Sequence, residues 1–173
     1  MFYDMLKARR SIRKFSDKEV EKEKIDIILK SALLAPSSRS LRPWEFIAVT
    51  DKDMLERLSH CKEHGSEFLA KAKLGVVVIA DQEKCDVWIE DASIASIVMQ
   101  LAAQSLDLGS CWIQIRQRFH NEQKSAEVYI KELMQIPEKY CVESIIAIGY
   151  PDESRKSYDE KELNFEKLHF EHF

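Results

Sequence analysis

The sequence predicts a single globular domain built from both helices and strands. Three observations support this prediction. The chain has 173 residues, a length that fits one domain. Residues 74–80 form an unbroken apolar run, which is typical of a strand buried on both faces. The apolar residues from Ile25 to Ala32 instead recur every three or four positions, the spacing of a helix with one buried face.

The first part of the chain predicts two helices followed by a strand. A short helix is expected from Phe2 to about Arg10, and the periodic segment predicts a helix from about Lys22 to Leu34. Pro36 ends this second helix, because the residue before a proline avoids helical geometry. Residues 44–50 are rich in aromatic and β-branched side chains and predict a strand.

The remaining elements follow from the same periodicities. Beyond residue 50 they are, in order, a helix over 51–62, a short helix around 68–69, the strand 74–80, a helix over 87–107, a strand over 110–115, a helix over 121–135 and a strand over 141–148. The helix 87–107 is apolar on most of its sides. Such a helix is buried either inside its own core or across a subunit interface, and the sequence leaves both alternatives open.

The last segment, 152–173, combines charge with large apolar side chains that follow no firm period. Its apolar members are Tyr158, Leu163, Phe165, Leu168, Phe170 and Phe173. Because the chain offers them no evident core of their own, we expect this segment to be a C-terminal arm that packs on a partner subunit.

Composition excludes several classes of protein. The net charge of −4 argues against a bulk nucleic-acid binder, which would be basic. No apolar run reaches the 18 residues of a membrane span, and the first residues do not resemble a signal peptide. The four cysteines form no CxxC pair and are expected to be buried, reduced thiols of a cytoplasmic protein. His60, Cys61 and His64 lack further ligands nearby, so no metal site is predicted.

The stretch Arg9-Arg10-Ser11-Ile12-Arg13 is a candidate site for a phosphorylated small molecule. It places three guanidiniums and one hydroxyl within five residues of a net-acidic chain. A guanidinium is a planar, permanently charged fork that matches two phosphate oxygens at once, and a hydroxyl can donate to a third. The alternative is a solvated basic helix end, in which arginine offsets the carbonyl end of the helix dipole.

A second cationic segment precedes the first predicted strand. Residues 35–44 contain two prolines, three serines and the two arginines Arg39 and Arg42. A plain helix-to-strand connection would need turn formers but no arginines, so this loop is interpreted as another part of the anion site. The four glycines are far apart and form no phosphate-cradling motif. A phosphorylated cofactor would therefore be held by side chains.

Several motifs in series resemble the nitroreductase family of FMN-dependent oxidoreductases. They are Arg9-Arg10-Ser11-Ile12-Arg13, Ala35-Pro36-Ser37-Ser38 through Pro43-Trp44-Glu45-Phe46, Trp88-Ile89-Glu90-Asp91-Ala92-Ser93, Leu108-Gly109-Ser110-Cys111-Trp112-Ile113 and Ile148-Gly149-Tyr150-Pro151. Each motif alone is weak. Their shared order and spacing cover almost the whole chain, which makes the resemblance fairly specific.

The resemblance implies the fold and the reaction. The fold would be α+β, a three-layer arrangement with a mostly antiparallel central sheet flanked by helices, in an intertwined homodimer. The chain would be one FMN-binding domain over 1–173, with an FMN at each of two interface sites built from both subunits. NAD(P)H would reduce the flavin, and the flavin would then pass a hydride from N5 to a nitroaromatic, a quinone or a similar small acceptor in a ping-pong cycle.

The resemblance also implies roles for the first cationic segment. Arg9 and Ser11 match positions that hold the FMN phosphate and ribityl chain, and Arg10 lies beside them. Arg13 matches the cation near flavin N1 and the C2 carbonyl. A fixed positive charge there favours the reduced flavin, which is an anion with charge on that edge. No protein side chain is assigned as a general acid or base, because hydride transfer at N5 needs none.

Three further segments complete the implied site. The loop residues Pro36, Ser37, Ser38, Arg39 and Ser40 match a loop that reaches the flavin of the partner subunit. The strand residues Trp112, Ile113 and Gln114 match the strand beside the isoalloxazine ring. Lys156, or its neighbour Arg155, matches a late cation on the phosphate.

This chain departs from the family at three positions. Ser40 stands where many members have Asn, and Arg42 where they have Gln. Ile115 stands where a glycine is common near N5, so a bulky side chain is expected to narrow the substrate space. The alternatives to a reductase are a non-catalytic FMN-binding or storage protein, a flavin-fragmenting or dehalogenating relative, or an anion-binding regulatory domain without flavin.

Overall fold

The computed structural model of the chain describes residues 1–173 as a sheet between two layers of helices. The helices are α1 (Phe2–Ala8), α2 (Lys22–Leu33), α3 (Lys52–Ser59), α4 (Trp88–Ser105) and α5 (Ala126–Met134). The strands are β1 (Trp44–Val49), β2 (Leu74–Asp81), β3 (Gly109–Gln114), β4 (Phe119–Asn121), β5 (Lys124–Ser125) and β6 (Tyr140–Gly149). Short 3₁₀ turns lie at Ser38–Ser40, Glu67–Lys71, Glu160–Glu162 and Phe165–Lys167.

The main sheet has the strand order β1-β2-β6-β3, and every neighbouring pair is antiparallel. This confirms the α+β class and the antiparallel sheet. Strand β2 is buried from Leu74 to Ala80, as its unbroken apolar run predicts, because the sheet is covered on both faces. Strand β3 lies at one edge of the sheet, and β1 lies at the other.

Two hydrophobic cores fill the spaces between the layers. On one face of the sheet, α3 contributes Leu55 and Leu58 and α5 contributes Ile130. On the other face, α2 contributes Ile28 and α4 contributes Met99. All five side chains are buried, so each helix meets the sheet with the apolar face that its sequence period predicts.

The long helix α4 is buried in the core of its own chain, and the alternative of a subunit interface stays a prediction. Its buried residues Ala92 and Met99 pack in the core between α2 and the sheet. Two isoleucines on the helix, Ile94 and Ile97, are still 38% and 39% exposed. The helix is therefore central within its own subunit and also leaves an apolar strip without a partner in the same chain.

One element was predicted wrongly. The helix expected over 121–135 begins only at Ala126, and β4 and β5 form a small hairpin before it. The side chain of Asn121 accepts hydrogen bonds from the main-chain N–H groups of Gln123 and Lys124, both at 2.9 Å, and this closes the turn. Ser125 then caps the helix, because its hydroxyl accepts from the N–H of Val128 at 3.1 Å.

The C-terminal arm lies outside both cores. Every residue from 154 to 173 is exposed, and Phe165, Leu168, Phe170 and Phe173 are at least 60% exposed. Cys61, Cys85 and Cys111 are buried and Cys141 is partly buried, and all four are free thiols as predicted. No helix in the fold combines the length and the apolar character needed to span a membrane.

Candidate functional site

The arginine-rich segment lies along the open edge of β3. The N–H of Ile12 donates to the carbonyl of Ser110 at 3.0 Å, and Ser11 forms a parallel bridge with Ser110. Ile12 itself is buried, so it fixes the segment to the body of the domain. Its neighbours Ser11 and Arg13 are thereby held at the surface beside the strand.

The segment and the start of the arm enclose a cleft of about 240 Å³, which we call the arginine cleft. Its lining comprises Arg9, Arg10, Ser11, Arg13, Arg155 and Tyr158. Arg9, Arg10 and Arg13 form no ion pair with any carboxylate, although eleven other ion pairs occur in the chain. Unpaired like charges that converge on one cleft fit an anionic ligand such as phosphate.

A carboxylate just behind the cleft organises it. Glu153 accepts from the main-chain N–H groups of Arg13 at 2.6 Å and Lys14 at 3.1 Å. Its other oxygen accepts from Arg155, with Nε at 2.9 Å and Nη2 at 2.8 Å. These donors hold the pKa of Glu153 below its usual value. Nothing in the sequence pointed to Glu153, because its main-chain donors lie about 140 positions earlier in the chain.

The arm supplies the outer wall of the cleft. The guanidinium of Arg10 lies 4.3 Å from the ring centroid of Tyr158, and it donates to the carbonyl of Lys156. The side chain of Arg155 lines the cleft, whereas Lys156 contributes its main chain. Of the two tail cations considered from the sequence, the structure therefore brings Arg155 to the cleft.

Strand β3 presents alternate residues to the open edge. Because the carbonyl of Ser110 points out towards Ile12, the main-chain groups of Trp112 and Gln114 point outward too. Their side chains are joined by a 2.9 Å hydrogen bond from Trp112 Nε1 to Gln114 Oε1. The side chain of Ile113 is fully buried in the core, and the expected place of this residue beside the flavin ring stays a prediction.

Ile115 corrects another expectation. Its side chain is fully buried in the same core, so it faces away from the open edge of β3 and does not narrow the space there. On the same face lies Cys111, whose thiol is buried next to Ser11, Arg9 and Arg13. Burial raises the pKa of Cys111 despite these cations, so the thiol at this point is neutral.

The second cationic segment, residues 36–42, is called the serine–arginine loop. Asp91 at the start of α4 anchors it: the N–H of Ser38 donates to Asp91 Oδ1 at 2.8 Å, and the thiol of Cys85 donates to Oδ2 at 3.4 Å. Asp91 is 2% exposed, so this contact is part of the fold. The hydroxyl of Ser37 accepts from the N–H of Arg42 at 2.9 Å and closes the loop on itself.

The loop holds an unusual backbone. Arg39, Ser40 and Arg42 have φ angles of 51°, 53° and 48°, values that residues other than glycine rarely adopt. Such conformations cost about 1–3 kcal/mol each and persist only where the surroundings enforce them. The guanidinium of Arg39 pairs with Asp86 of the same chain, whereas Pro36, Ser40 and Arg42 are exposed.

The arginine cleft and the serine–arginine loop lie at opposite corners of the sheet. Ser110 lies beside the cleft and pairs with Ile148, which in turn pairs with Leu74 at the start of β2. Trp44, at the end of the loop, pairs instead with Ala80 near the other end of β2. The stretch of β2 from Leu74 to Ala80 is roughly 20 Å long, and the three strand spacings from β3 to β1 add roughly 14 Å across the sheet. The two cationic segments therefore do not form one site within a single chain.

A buried carboxyl lies near the C-terminal end of β3. A β-bulge in β6 places Glu143 next to Ser93, Gln114 and Arg116. Glu143 is 3% exposed, and its Oε2 atom has no hydrogen-bond partner. Burial raises the pKa of Glu143 above its ordinary value of 4.5, although Arg116, Gln114 and Ser93 act in the opposite direction.

We expect Glu143→Gln to stabilise the fold at neutral pH by about 1 kcal/mol or more, since it removes a buried charge whose Oε2 atom has no hydrogen-bond partner. The native pKa lies above the unfolded one, so the wild type loses stability as pH rises between the two values. The variant should lose this part of the pH dependence. Urea unfolding from pH 4 to pH 8 measures it, with the exposed Glu83→Gln as control. Parallel profiles for all three proteins would refute the assignment.

Comparisons with known proteins identify a family model and two relatives that match this chain. A family model described as the nitroreductase family matches residues 6–61 and 59–150. A protein of Archaeoglobus fulgidus named "Putative NADH dehydrogenase/NAD(P)H nitroreductase" is 37% identical over 172 residues, which covers 96% of this chain and 95% of that protein. A protein of Methanothermobacter thermautotrophicus with the same name is 36% identical, covering 95% and 86%.

The fold also matches that of a solved structure. An FMN-dependent nitroreductase from Clostridium difficile R20291 superposes with a TM-score of 0.98 at 56% sequence identity, and the match covers 99% of each chain. The similarity therefore extends over the sheet, both helical layers and the arm.

Proposed function

The chain belongs to the nitroreductase family, and from this premise we propose that it is an FMN-dependent oxidoreductase that uses NAD(P)H to reduce a nitroaromatic, a quinone or a similar small acceptor. The observation that carries the proposal is the arginine cleft, in which three guanidiniums converge without a carboxylate partner. The relative from Clostridium difficile, described as FMN-dependent, supports the identity of the cofactor. When bound, FMN would supply the hydride-transfer chemistry between donor and acceptor.

The residues of the cleft divide the binding of FMN between them. Arg9, Arg10 and Ser11, with Arg155 from the arm, would hold the phosphate and the ribityl chain by charge-assisted hydrogen bonds. Glu153 positions this group by fixing both Arg155 and the main chain at Arg13. Because Arg155 and the arginine-rich segment 9–13 are already held in place, little conformational entropy would be lost when the phosphate binds.

Arg13 and the edge of β3 would hold the flavin ring. The guanidinium of Arg13 lies 5.8 Å from the ring centroid of Phe68, which restricts where the cation can point. A cation beside the N1–C2 edge stabilises the negative charge of the reduced state. The outward main-chain groups of Trp112 and Gln114 provide hydrogen-bonding partners along the same edge.

We infer that the active form is a homodimer. The serine–arginine loop is too far from the arginine cleft of its own chain to share its ligand, so a second copy would have to bring the loop to the flavin. Apolar side chains are exposed on the helices and on the arm, as a shared interface requires. They are Phe2, Leu6, Ile27, Leu33, Leu34, Ile94, Ile97, Phe165, Leu168, Phe170 and Phe173. Light scattering should give twice the chain mass of 20.2 kDa.

The visible spectrum of the purified protein tests the proposed function. A yellow protein whose flavin bands disappear on anaerobic addition of NADH or NADPH supports a reductase, and the faster nucleotide is the preferred donor. A yellow protein that neither nucleotide bleaches would instead favour the alternative of an FMN-binding or storage protein. A colourless protein that does not take up added FMN would contradict both.

A further inference from the structure

A second cationic cleft lies beside the arginine cleft and has no assigned role. It has a volume of about 350 Å³, within the range of about 300–1,000 Å³ typical of small-molecule sites. Its lining comprises Lys62, Glu63, His64, Gln117, Arg118 and Phe119, and we call it the lysine cleft. It is formed where the loop after α3 faces the turn that leads into β4.

The fold fixes the two walls of this cleft to each other. The N–H of Glu63 donates to the carbonyl of Phe119 at 3.3 Å, and His120 Nδ1 lies 2.9 Å from the carbonyl of His60. The main-chain N–H and carbonyl of Arg118 are both bonded, to Ile115 and Ala126. The cleft therefore lies between two segments that hydrogen bonds hold in place.

The charges that line the lysine cleft suit an anionic ligand. Neither Lys62 nor Arg118 forms an ion pair, although the two cations line the same cleft. Lys62 is partly buried, and its Nζ lies 3.7 Å from where a Cβ on Gly65 would be, so it is folded over the loop. Burial and the nearby Arg118 lower the pKa of Lys62. Among the lining residues Glu63 is the only acid, so the lining has a net positive charge.

An aromatic ring completes the cleft. Phe119 is 63% exposed, although a phenylalanine with a structural role would normally be buried. An exposed ring next to cations is suited to a ligand that combines an aromatic base with phosphate, because the ring stacks on the base and the cations bind the oxygens. A nucleotide has this combination.

The lysine cleft lies near the arginine cleft. Arg13 lies against the ring of Phe68, which follows Gly65 and the lysine-bearing loop by a few residues. The charges of both Lys62 and Arg13 also act on Cys111, so both cations lie in the neighbourhood of this thiol. A ligand that extends from the lysine cleft could therefore reach a flavin held at Arg13.

We propose that the lysine cleft binds the adenosine-phosphate end of the nicotinamide donor, with Lys62 and Arg118 on its phosphate oxygens and Phe119 stacked on its adenine. This inference rests on the proposed function. The FMN phosphate is assigned to the arginine cleft, and nitroaromatic or quinone acceptors need carry no phosphate. The donor is then the remaining reactant that has both phosphates and an aromatic base.

The test is calorimetric titration of the FMN-loaded protein with 5′-ADP and with 2′,5′-ADP, two fragments that carry no nicotinamide. Lys62→Ala, Arg118→Ala and Phe119→Ala should each bind the better fragment about tenfold more weakly, which corresponds to the loss of one charge-assisted bond or one stacking contact. Lys71→Ala is the matched control, since it removes an exposed lysine outside the cleft. Its affinity should equal that of the wild type.

Steady-state kinetics separates this inference from the proposed function. The cleft variants should raise KM for the donor, with kcat, the KM of the acceptor and the bleaching by dithionite unchanged. Wild-type affinity in all three cleft variants, or a wild type that binds neither fragment, would overturn the lysine cleft as donor site while NAD(P)H still bleaches the flavin. A flavin that NAD(P)H does not bleach would overturn the proposed function itself, whatever the fragments do.

Discussion

Replacing Arg13 by alanine is expected to give a folded dimer that binds FMN about 10- to 100-fold more weakly, as the loss of one charge-assisted hydrogen bond implies. The guanidinium lines the arginine cleft, has no carboxylate partner and is restrained against Phe68. Its removal should also slow flavin reduction, because the reduced state loses the cation that stabilises its charge. Fluorescence titration of FMN measures the first effect, and anaerobic stopped-flow reduction by NAD(P)H measures the second.

Lys14→Ala is the control for this prediction. Lys14 is the next residue, it is exposed, and its side chain forms no ion pair and does not line the arginine cleft. Lys14→Ala removes one positive charge from the same segment, but it leaves the proposed contact between Arg13 and the flavin intact. Unchanged flavin content and reduction rate in Arg13→Ala would show that the role assigned to Arg13 is incorrect.

Gly109→Ala should damage both stability and the site, because there is no room for a side chain at this position. A Cβ on Gly109 would lie 2.9 Å from three side-chain atoms of Ile12. Ile12 is buried between Ser11 and Arg13, so the overlap can be relieved only by moving the arginine segment. We expect a loss of about 1–3 kcal/mol in the free energy of unfolding, as for other overpacked cores, together with weaker FMN binding. Urea unfolding and flavin titration measure the two effects.

Gly149→Ala provides a graded comparison. Its Cβ would lie 3.0 Å from the nearest atom of the Phe15 ring, a milder overlap than at Gly109, and Phe15 lies two residues beyond Arg13, whereas Ile12 is directly bonded to it. The loss of stability should be smaller, and FMN affinity should change less. Equal effects of the two substitutions on flavin affinity would mean that the contact with Ile12 does not position the site.

Long, regular patterns in the sequence predicted the fold well. The run from Leu74 to Ala80 and the period from Ile25 to Ala32 each reproduce an observed element to within a residue or two. The segment 121–125 was missed because its conformation depends on one side chain: Asn121 bonds to the main chain two and three residues ahead and favours a turn over a helix. The period of the apolar residues carries no information about such a local hydrogen bond.

The candidate site was predictable where residue type alone indicated the chemistry. The arginines and serines were found because their donors suit phosphate. Side-chain direction was not predictable, so the sequence did not show that the side chains of Ile113 and Ile115 point into the core. The supporting acids were also missed. Glu153 and Asp91 act through main-chain N–H groups 140 and 53 positions away in sequence, and such contacts exist only once the chain is folded.

The placement of the two cationic segments at opposite corners of the sheet has a genetic consequence. In the proposed homodimer each site combines the arginine cleft of one chain with the serine–arginine loop of the other. A chain damaged only at Arg13 and a chain damaged only at Ser38 could then restore each other. Mixed dimers would contain one site with both lesions and one site with neither. Two inactive alleles would thus complement in trans, whereas two alleles that both damage the cleft would not.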